Sequence, residues 1–557
     1  MSSDAATLPS SLEAVGRRLR RAHELVRSID PPIALATLIV LQWLAVAMLA
    51  LTVKHNGWLY YAGGDQLWHY TGAYLLAHGH LPATFVGYGW SVLLLPVAAS
   101  AGANLAAALP AIVLFNTAVL LPVALLCVYA IAARIAGRAF GYFAAALWIL
   151  LPYLGILFVE PGYHQKYTEL TLPQVLGLSS VPDFPAMVAL LVSAYFCLRT
   201  VEAAGWITPV AAGLAAGYSI AIKPSNSIFL VAPALLLLVE KRRALLPFAA
   251  GLAPALLTLV IWKYRGLGQL AAAPAQPVRL ASGVGSLLDR VHNPELNSYA
   301  HFRAVLQSLR EHFWVARVME WLPVAGMIAL LARYRRAFLL VGAWFAIFVV
   351  AKATYVPASV EDASFWRILM PSFPAYLLLT ASVVLLVPGV RARPAPESFT
   401  LRGRWATVAL AAAVGVFAVL PLGVIAATPV LKDGGRQSVM FDNNQLPVSP
   451  GVGLEANAVN GVVHLSWRAQ KPKGATDVFF RVLRAKSATD IGCAGTRAAD
   501  QCQLYTEPVG TTKPASYDDQ PGQGTWTYRV GVSANWLDDQ RLGDVYVVSA
   551  PVTVTVP

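Results

Sequence analysis

Three charged residues stand out in a chain that carries few. Asp65 follows two glycines in "YYAGGDQLWHYTGAYLLAHGHLP", Lys223 precedes a proline in "AGYSIAIKPSNSIFL", and Arg367 lies in "SFWRILMPSFPAYLLL". A lysine and an arginine at the ends of apolar stretches admit two readings. Both can snorkel to lipid headgroups at small cost, or they can offer a point charge and a planar fork to one phosphate or pyrophosphate at the membrane surface. Asp65 is similarly divided. The residues after it, Trp68, Ala73, Leu75 and Leu76, suit a short helix lying along the membrane surface. Asp65 then either caps that helix, worth about 1 kcal/mol, or is available for chemistry.

Further candidates crowd "VEPGYHQKYTEL", which holds Glu160, His164, Lys166, Tyr167 and Glu169. Glu160 or Glu169 could join Asp65 around a divalent cation, and an oxygen donor set favours magnesium or manganese. A solvated loop face accounts for the same residues. His55, His69, His78 and His80 are a weak zinc signature, and His69 and His164 stay as candidates for contacts to a sugar or acceptor. Glu361 and Asp362 either pair with Arg367 or meet an acceptor. No Walker A loop or dinucleotide fingerprint follows a strand, so neither ATP nor a dinucleotide is expected as a direct cofactor.

The elements that must position these residues are membrane spans. Hydrophobic residues make up 57% of the 557 and charged residues 13%, against about 25% charged in soluble domains. Runs of roughly 20 apolar residues predict about eleven spans, near 33–53, 109–133, 139–158, 184–203, 206–222, 226–240, 244–263, 316–332, 337–353, 366–388 and 405–427. Basic residues precede the first span (Arg17, Arg18, Arg20, Arg21, Arg27) and cluster at Arg134 and Arg138, at Lys241 to Arg243, at Arg333 to Arg336 and at Arg391 to Arg404. All fall on one side of an eleven-span count, which predicts a cytoplasmic N-terminus and an extracytoplasmic C-terminus. The net charge of +13 is thereby an orientation signal and an anionic-lipid contact, and no nucleic-acid partner is expected. Residues 1–30 read as a cytoplasmic basic amphipathic segment, with Leu12, Val15, Leu19 and Val26 at helical spacing. The first span is too long for a cleavable signal peptide and no small-residue cleavage site follows it. The long loops, 54–108, 159–183, 264–315 and 354–365, all fall outside.

Beyond about residue 430 the pattern changes. "VHLSWRAQ", "DVFFRVLRAK", "TWTYRVGVSANW" and "VYVVSAPVTVTV" alternate apolar and polar residues between turn residues, which predicts an antiparallel sandwich over 435–557. Trp467 and "YRVGVSA" resemble the fibronectin type III module of the immunoglobulin-like sandwiches. Cys493 and Cys502 share a loop of this outward domain, where a disulfide is expected in an oxidising compartment. Cys127 and Cys197 lie within spans and read as small hydrophobes.

With these elements in place, residues 30–390 resemble the GT-C glycosyltransferases, which include protein O-mannosyltransferases and bacterial aminoarabinose transferases. The resemblance rests on "DQLWHYTGAYLLAHGHLPATFVGYGW", an acid directly after the first span followed by an aromatic, glycine-rich turn, and on the Lys-Pro and Arg-then-Pro segments around Lys223 and Arg367. It departs from relatives that pair two acids, because Gln66 follows Asp65.

The resemblance implies a GT-C-like transmembrane catalytic domain over 31–430. It implies an inverting transfer of sugar from a polyprenyl-phosphate or polyprenyl-pyrophosphate donor to a glycan, lipid or protein acceptor of the cell envelope, at the outer face of the cytoplasmic membrane of a bacterium. Asp65 would be the general base, with Lys223 and Arg367 holding the departing phosphate. The alternative is a transporter or flippase of lipid-linked saccharides. Transporters place charged or broken helices near the bilayer midplane and carry internal repeats. In this sequence the polar residues gather toward the outer ends of the predicted spans, and no repeat relates the halves.

Overall fold

A computed structural model describes residues 30–52, 64–82, 84, 86–102, 105–161, 172–267, 297–312, 316–356, 369–387, 403–430, 452–470, 475–485, 508–512, 514–536 and 545–557. Every expected span coincides with helix. Six helical stretches are long and apolar enough to cross a membrane: Pro31–Leu51, Ala108–Ala136, Asp183–Glu202, Arg242–Gly266, Arg335–Ala353 and Arg404–Ala427. Shorter apolar helices, Arg138–Leu151, Ile207–Ile222, Pro224–Glu240 and Met370–Leu386, fill further expected segments, and Val318–Arg333 fills the remaining one. Leu44, Met48, Leu51, Leu114 and Leu246 turn exposed side chains outward from these helices, as lipid-facing residues must. The chain is a multi-pass membrane protein of helices followed by a C-terminal β region.

Small residues set the most extensive helix contact, as they do where lipid removes the usual hydrophobic drive. Ile207–Ile222 lies against Leu245–Leu267. A Cβ at Gly213 would stand 2.0 Å from the Phe248 carbonyl oxygen, and one at Gly251 would stand 2.2 Å from that of Val210.

The two ends of the bundle differ in character. At one end Arg134 pairs with Glu202, Tyr334 donates to Glu202 at 3.1 Å, Arg336 pairs with Glu240 at 2.8 Å, and Lys241 donates to the Thr200 carbonyl at 2.6 Å. The connections near 134, 202, 240 and 334 therefore meet on one side, where the basic clusters placed three of them. The Asp183–Glu202 helix has 20 residues, so Asp183 lies about 30 Å away at the opposite end.

The expected outer loops hold structure of their own. Within 54–108 are the helices Gly64–Ala77, Tyr88–Leu93 and Leu95–Ala101, and within 264–315 the helix Tyr299–His312. The Gly64–Ala77 helix is covered by other parts of the protein. Its Gln66, His69, Tyr70, Thr71, Ala73, Tyr74, Leu75 and Leu76 are all buried, because Trp90, Leu94, Leu109, Tyr218 and Ile222 cover it with apolar side chains.

The β region forms two antiparallel sheets. β1 (Gly453–Val459), β2 (Val462–Arg468) and β5 (Ser516–Asp519) make one, in the order β1-β2-β5. The other holds β3 (Ala475–Ala485), β4 (Pro508–Thr512), β6 (Gly524–Trp536), β7 (Val545–Val548) and β8 (Val552–Val556), with β6 bonded to β3, β7 and β8. Asn460 and Gly461, at φ of 52° and 80°, turn the β1–β2 hairpin, the left-handed pair that matches strand twist. Trp467 of β2 packs edge-on against Phe480 of β3, ring centroids 5.3 Å apart, in the core shared by the two sheets. Tyr528 donates to Asp519 at 2.6 Å and Arg484 to the same oxygen at 2.8 Å. Burial, then the hydrogen bond to and charge of Asp519, pushes the Tyr528 hydroxyl well above its ordinary range. Cys493 and Cys502 lie outside the described residues, as does the start of the expected domain at 435.

Candidate functional site

Asp65 is the second residue of the Gly64–Ala77 helix. Gln66, beside it, ties this turn to a distant loop. Its Oε1 accepts the Ser180 backbone N–H at 2.9 Å, and Trp90 Nε1 donates to the Ser180 carbonyl at 2.8 Å. Asn116, opening a π-helical turn within a span, donates to the carbonyls of Gly177 and Ser179 at 3.1 and 3.0 Å. Single π turns recur at functional sites. This one aims an amide at the loop that leads into Asp183.

Asp183 begins the next helix with its side chain 0% exposed, and its Oδ1 pairs with Lys223 Nζ, whose side chain is 17% exposed. Lys223 therefore has a carboxylate partner within the protein. Lys223 closes the Ile207–Ile222 helix in extended backbone and turns inward to a buried carboxylate, because a buried carboxylate requires a partner. Ser219 and Asn226 complete the surroundings. Ser219 Oγ donates to the Ala186 carbonyl at 2.8 Å, and Asn226 Nδ2 donates to Ser219 Oγ at 3.0 Å. Ser180 Oγ and Asn226 Oδ1 are buried polar atoms with no hydrogen-bond partner in the described structure. They flank the ion pair in sequence.

The glycine-rich turn after the Asp65 helix packs directly on the segment before Lys223. A Cβ at Gly87 would meet the Ala221 carbonyl oxygen at 2.1 Å and that of Ile222 at 2.6 Å. Tyr218 donates to the Gly89 carbonyl at 2.8 Å, and Trp262 to that of Val86 at 3.0 Å. Gly87→Ala is therefore expected to lower stability by about 2 kcal/mol or more, the overpacking range, whereas Gly423→Ala, with open space around it, should be neutral or slightly stabilising. Thermal unfolding of both variants in detergent checks this. Equal melting temperatures would overturn the close approach.

The remaining candidates separate. His69 is buried within the Asp65 helix rather than exposed in a loop, and its carbonyl accepts from Ser91 Oγ at 2.9 Å. Glu160 is 48% exposed and pairs with His312 Nδ1 at 2.8 Å. Arg367, His164, Lys166, Tyr167, Glu169, Glu361 and Asp362 lie outside the described residues, as does His55. Among the described residues no group of three His, Cys, Asp or Glu side chains is arranged to hold a metal, and the carboxylates of Asp183 and Glu160 already have cationic or histidine partners. Asp183 is the residue that sequence reasoning missed. It stood one position outside a predicted span in "SVPDFPAM", an acid level with Lys223 at the same membrane boundary, and that level was the available signal.

No protein-family model matches the chain, and no curated protein matches it. Among solved structures it is similar to ArnT from Cupriavidus metallidurans in the apo state, at 17% identity over 64% of this chain and 61% of that one, TM-score 0.39. It is similar as well to the Archaeoglobus fulgidus oligosaccharyltransferase in the apo form, at 14% identity over 72% and 57%, TM-score 0.38. The same ArnT bound to undecaprenyl phosphate aligns at 15% identity over 71% and 75%, TM-score 0.36. The chain spans less than two thirds of the length of the first two.

Proposed function

We propose that this protein is an inverting membrane glycosyltransferase of the GT-C type, moving a sugar from a polyprenyl-phosphate or polyprenyl-pyrophosphate donor to a cell-envelope acceptor at the outer face of the cytoplasmic membrane. The observation that supports it is the joining of the Asp65 turn to the Asp183–Lys223 pair. Gln66 holds Ser180, and Asp183 follows three residues later, at the end of the bundle about 30 Å from the basic connections. An acid and a cation from distant parts of the sequence thus share one neighbourhood at the end expected to face outward. In the proposed reaction the acceptor hydroxyl gives its proton to Asp65 as its oxygen forms a bond to the anomeric carbon. The carbon–oxygen bond to the donor phosphate breaks, and the phosphate leaves with the electron pair toward Lys223 and Arg367, whose charge offsets its own. A magnesium or manganese ion held by Asp65 with Glu160 or Glu169 would add charge stabilisation, and no step above depends on it. Transfer by the Asp65→Asn variant tests the reading.

The topology carries its own test. With an N-terminus inside and the sandwich outside, a membrane-impermeant thiol reagent added to cells with a permeable outer layer is expected to label Cys493 or Cys502 after mild reduction. Labelling that requires permeabilising the cytoplasmic membrane would invert the topology and remove Asp65 from the outer face.

A further inference from the structure

Lys352 takes the second-to-last position of the Ala343–Ala353 helix and is 8% exposed. A lysine this buried in an apolar bundle is costly and marks a functional site by default. Its level follows from two contacts between neighbouring segments. The Arg336–Glu240 pair at 2.8 Å and the Phe229–Trp344 ring contact at 5.1 Å show that Arg335–Ala353 and Pro224–Glu240 run antiparallel. In that register residue 352 falls opposite residues 221–224. The rises agree. Lys223 precedes Phe229 by six residues across a 3-10 turn rising about 2.0 Å per residue, and Lys352 follows Trp344 by eight residues along a helix rising about 1.5 Å per residue. Each stands roughly 12 Å from the ring contact, toward the same end of the bundle. The same helix also packs against Met370–Ser372.

We propose that Lys352 is a further phosphate-binding residue, its ammonium acting with that of Lys223 on the phosphate of the lipid-linked donor, an inference that rests on the functional reading above. Lys352 has contacts of its own, to which the phosphate adds. An ammonium has three donors, so Lys223 can keep Asp183 and still reach the same anion.

Equilibrium binding of undecaprenyl phosphate and of uncharged undecaprenol to the purified full-length protein in detergent micelles tests this without turnover. The parent should prefer the phosphate. A parent that binds both lipids alike overturns the functional reading, and the assignment of Lys352 with it. Given that preference, Lys352→Met should weaken undecaprenyl phosphate about tenfold, the lower range for a charged hydrogen bond, and leave undecaprenol within about twofold. Lys352→Arg, which keeps the charge, should retain most of the affinity. A folded Lys352→Met protein with parental affinity for the phosphate overturns the assignment while leaving the glycosyltransferase reading intact. If Lys352→Met does not fold, acetylation of the parent's Lys352 read by mass spectrometry decides. Protection by undecaprenyl phosphate and not by undecaprenol supports the assignment, and equal acetylation with both overturns it.

Discussion

Asp65→Asn is expected to reduce glycosyl transfer by roughly a hundredfold or more, the usual range for removing a general base, while the protein folds and binds donor as the parent does. The exchange separates chemistry from architecture. Asparagine is isosteric with aspartate and about as good at a helix N-terminus, so the first turn of Gly64–Ala77 and the Gln66–Ser180 bond beside it should survive. The macrodipole contribution lost with the charge is only about 0.3–1 kcal/mol. Transfer from a synthetic polyprenyl-phosphate sugar by the purified variant, with thermal unfolding and donor binding measured on the same preparation, gives the answer. A near-parental rate would remove Asp65 from the reaction and with it the proposed mechanism.

Lys223→Met should lower stability by about 3 kcal/mol, because removing one partner of a buried ion pair leaves the other charge uncompensated. The asymmetry of burial makes this the damaging direction. Asp183 is 0% exposed whereas Lys223 keeps 17% of its side chain in contact with its surroundings, so the carboxylate is the group that cannot escape. The figure sits at the low end of the usual 3–5 kcal/mol because Asp183 opens a helix, whose positive end contributes up to about 1 kcal/mol. Replacing both charges in Lys223→Met/Asp183→Asn should recover more than half of the loss, since deleting a whole buried pair is often close to neutral. Thermal unfolding of the parent, the single variant and the double variant in detergent checks this. A double variant no better than the single one would show that the pair is not the source of the loss.

Much of the architecture was legible in the residues. Runs of apolar residues about as long as a bilayer is thick can only be satisfied as helices, and the expected spans fall on helices throughout. Alternating polarity after residue 452 marked strands for the same kind of reason, since a period of two exposes one face and buries the other. Lys223 at a helix end, before Pro224, was readable because proline ends the preceding helix. The glycine-rich turn at Gly87 was visible as a feature, but its purpose was not, because a close approach needs a second backbone that sequence does not name.

The sequence by itself determined roughly where the apolar spans fall, which connections are basic, and that an acid follows the first span, because hydropathy and charge act locally. It did not determine that the Asp65 helix is buried among other helices, that Lys223 turns to Asp183 40 residues away, or that Lys352 stands at their level. It also suggested that polar residues gather toward the outer ends of spans, whereas Gln42 lies mid-helix and accepts a 2.7 Å bond from Trp148. Those outcomes depend on which helices are neighbours and in what register. Pairing energies within the membrane are small and come from shape, small residues and single hydrogen bonds, so only the assembled bundle decides them.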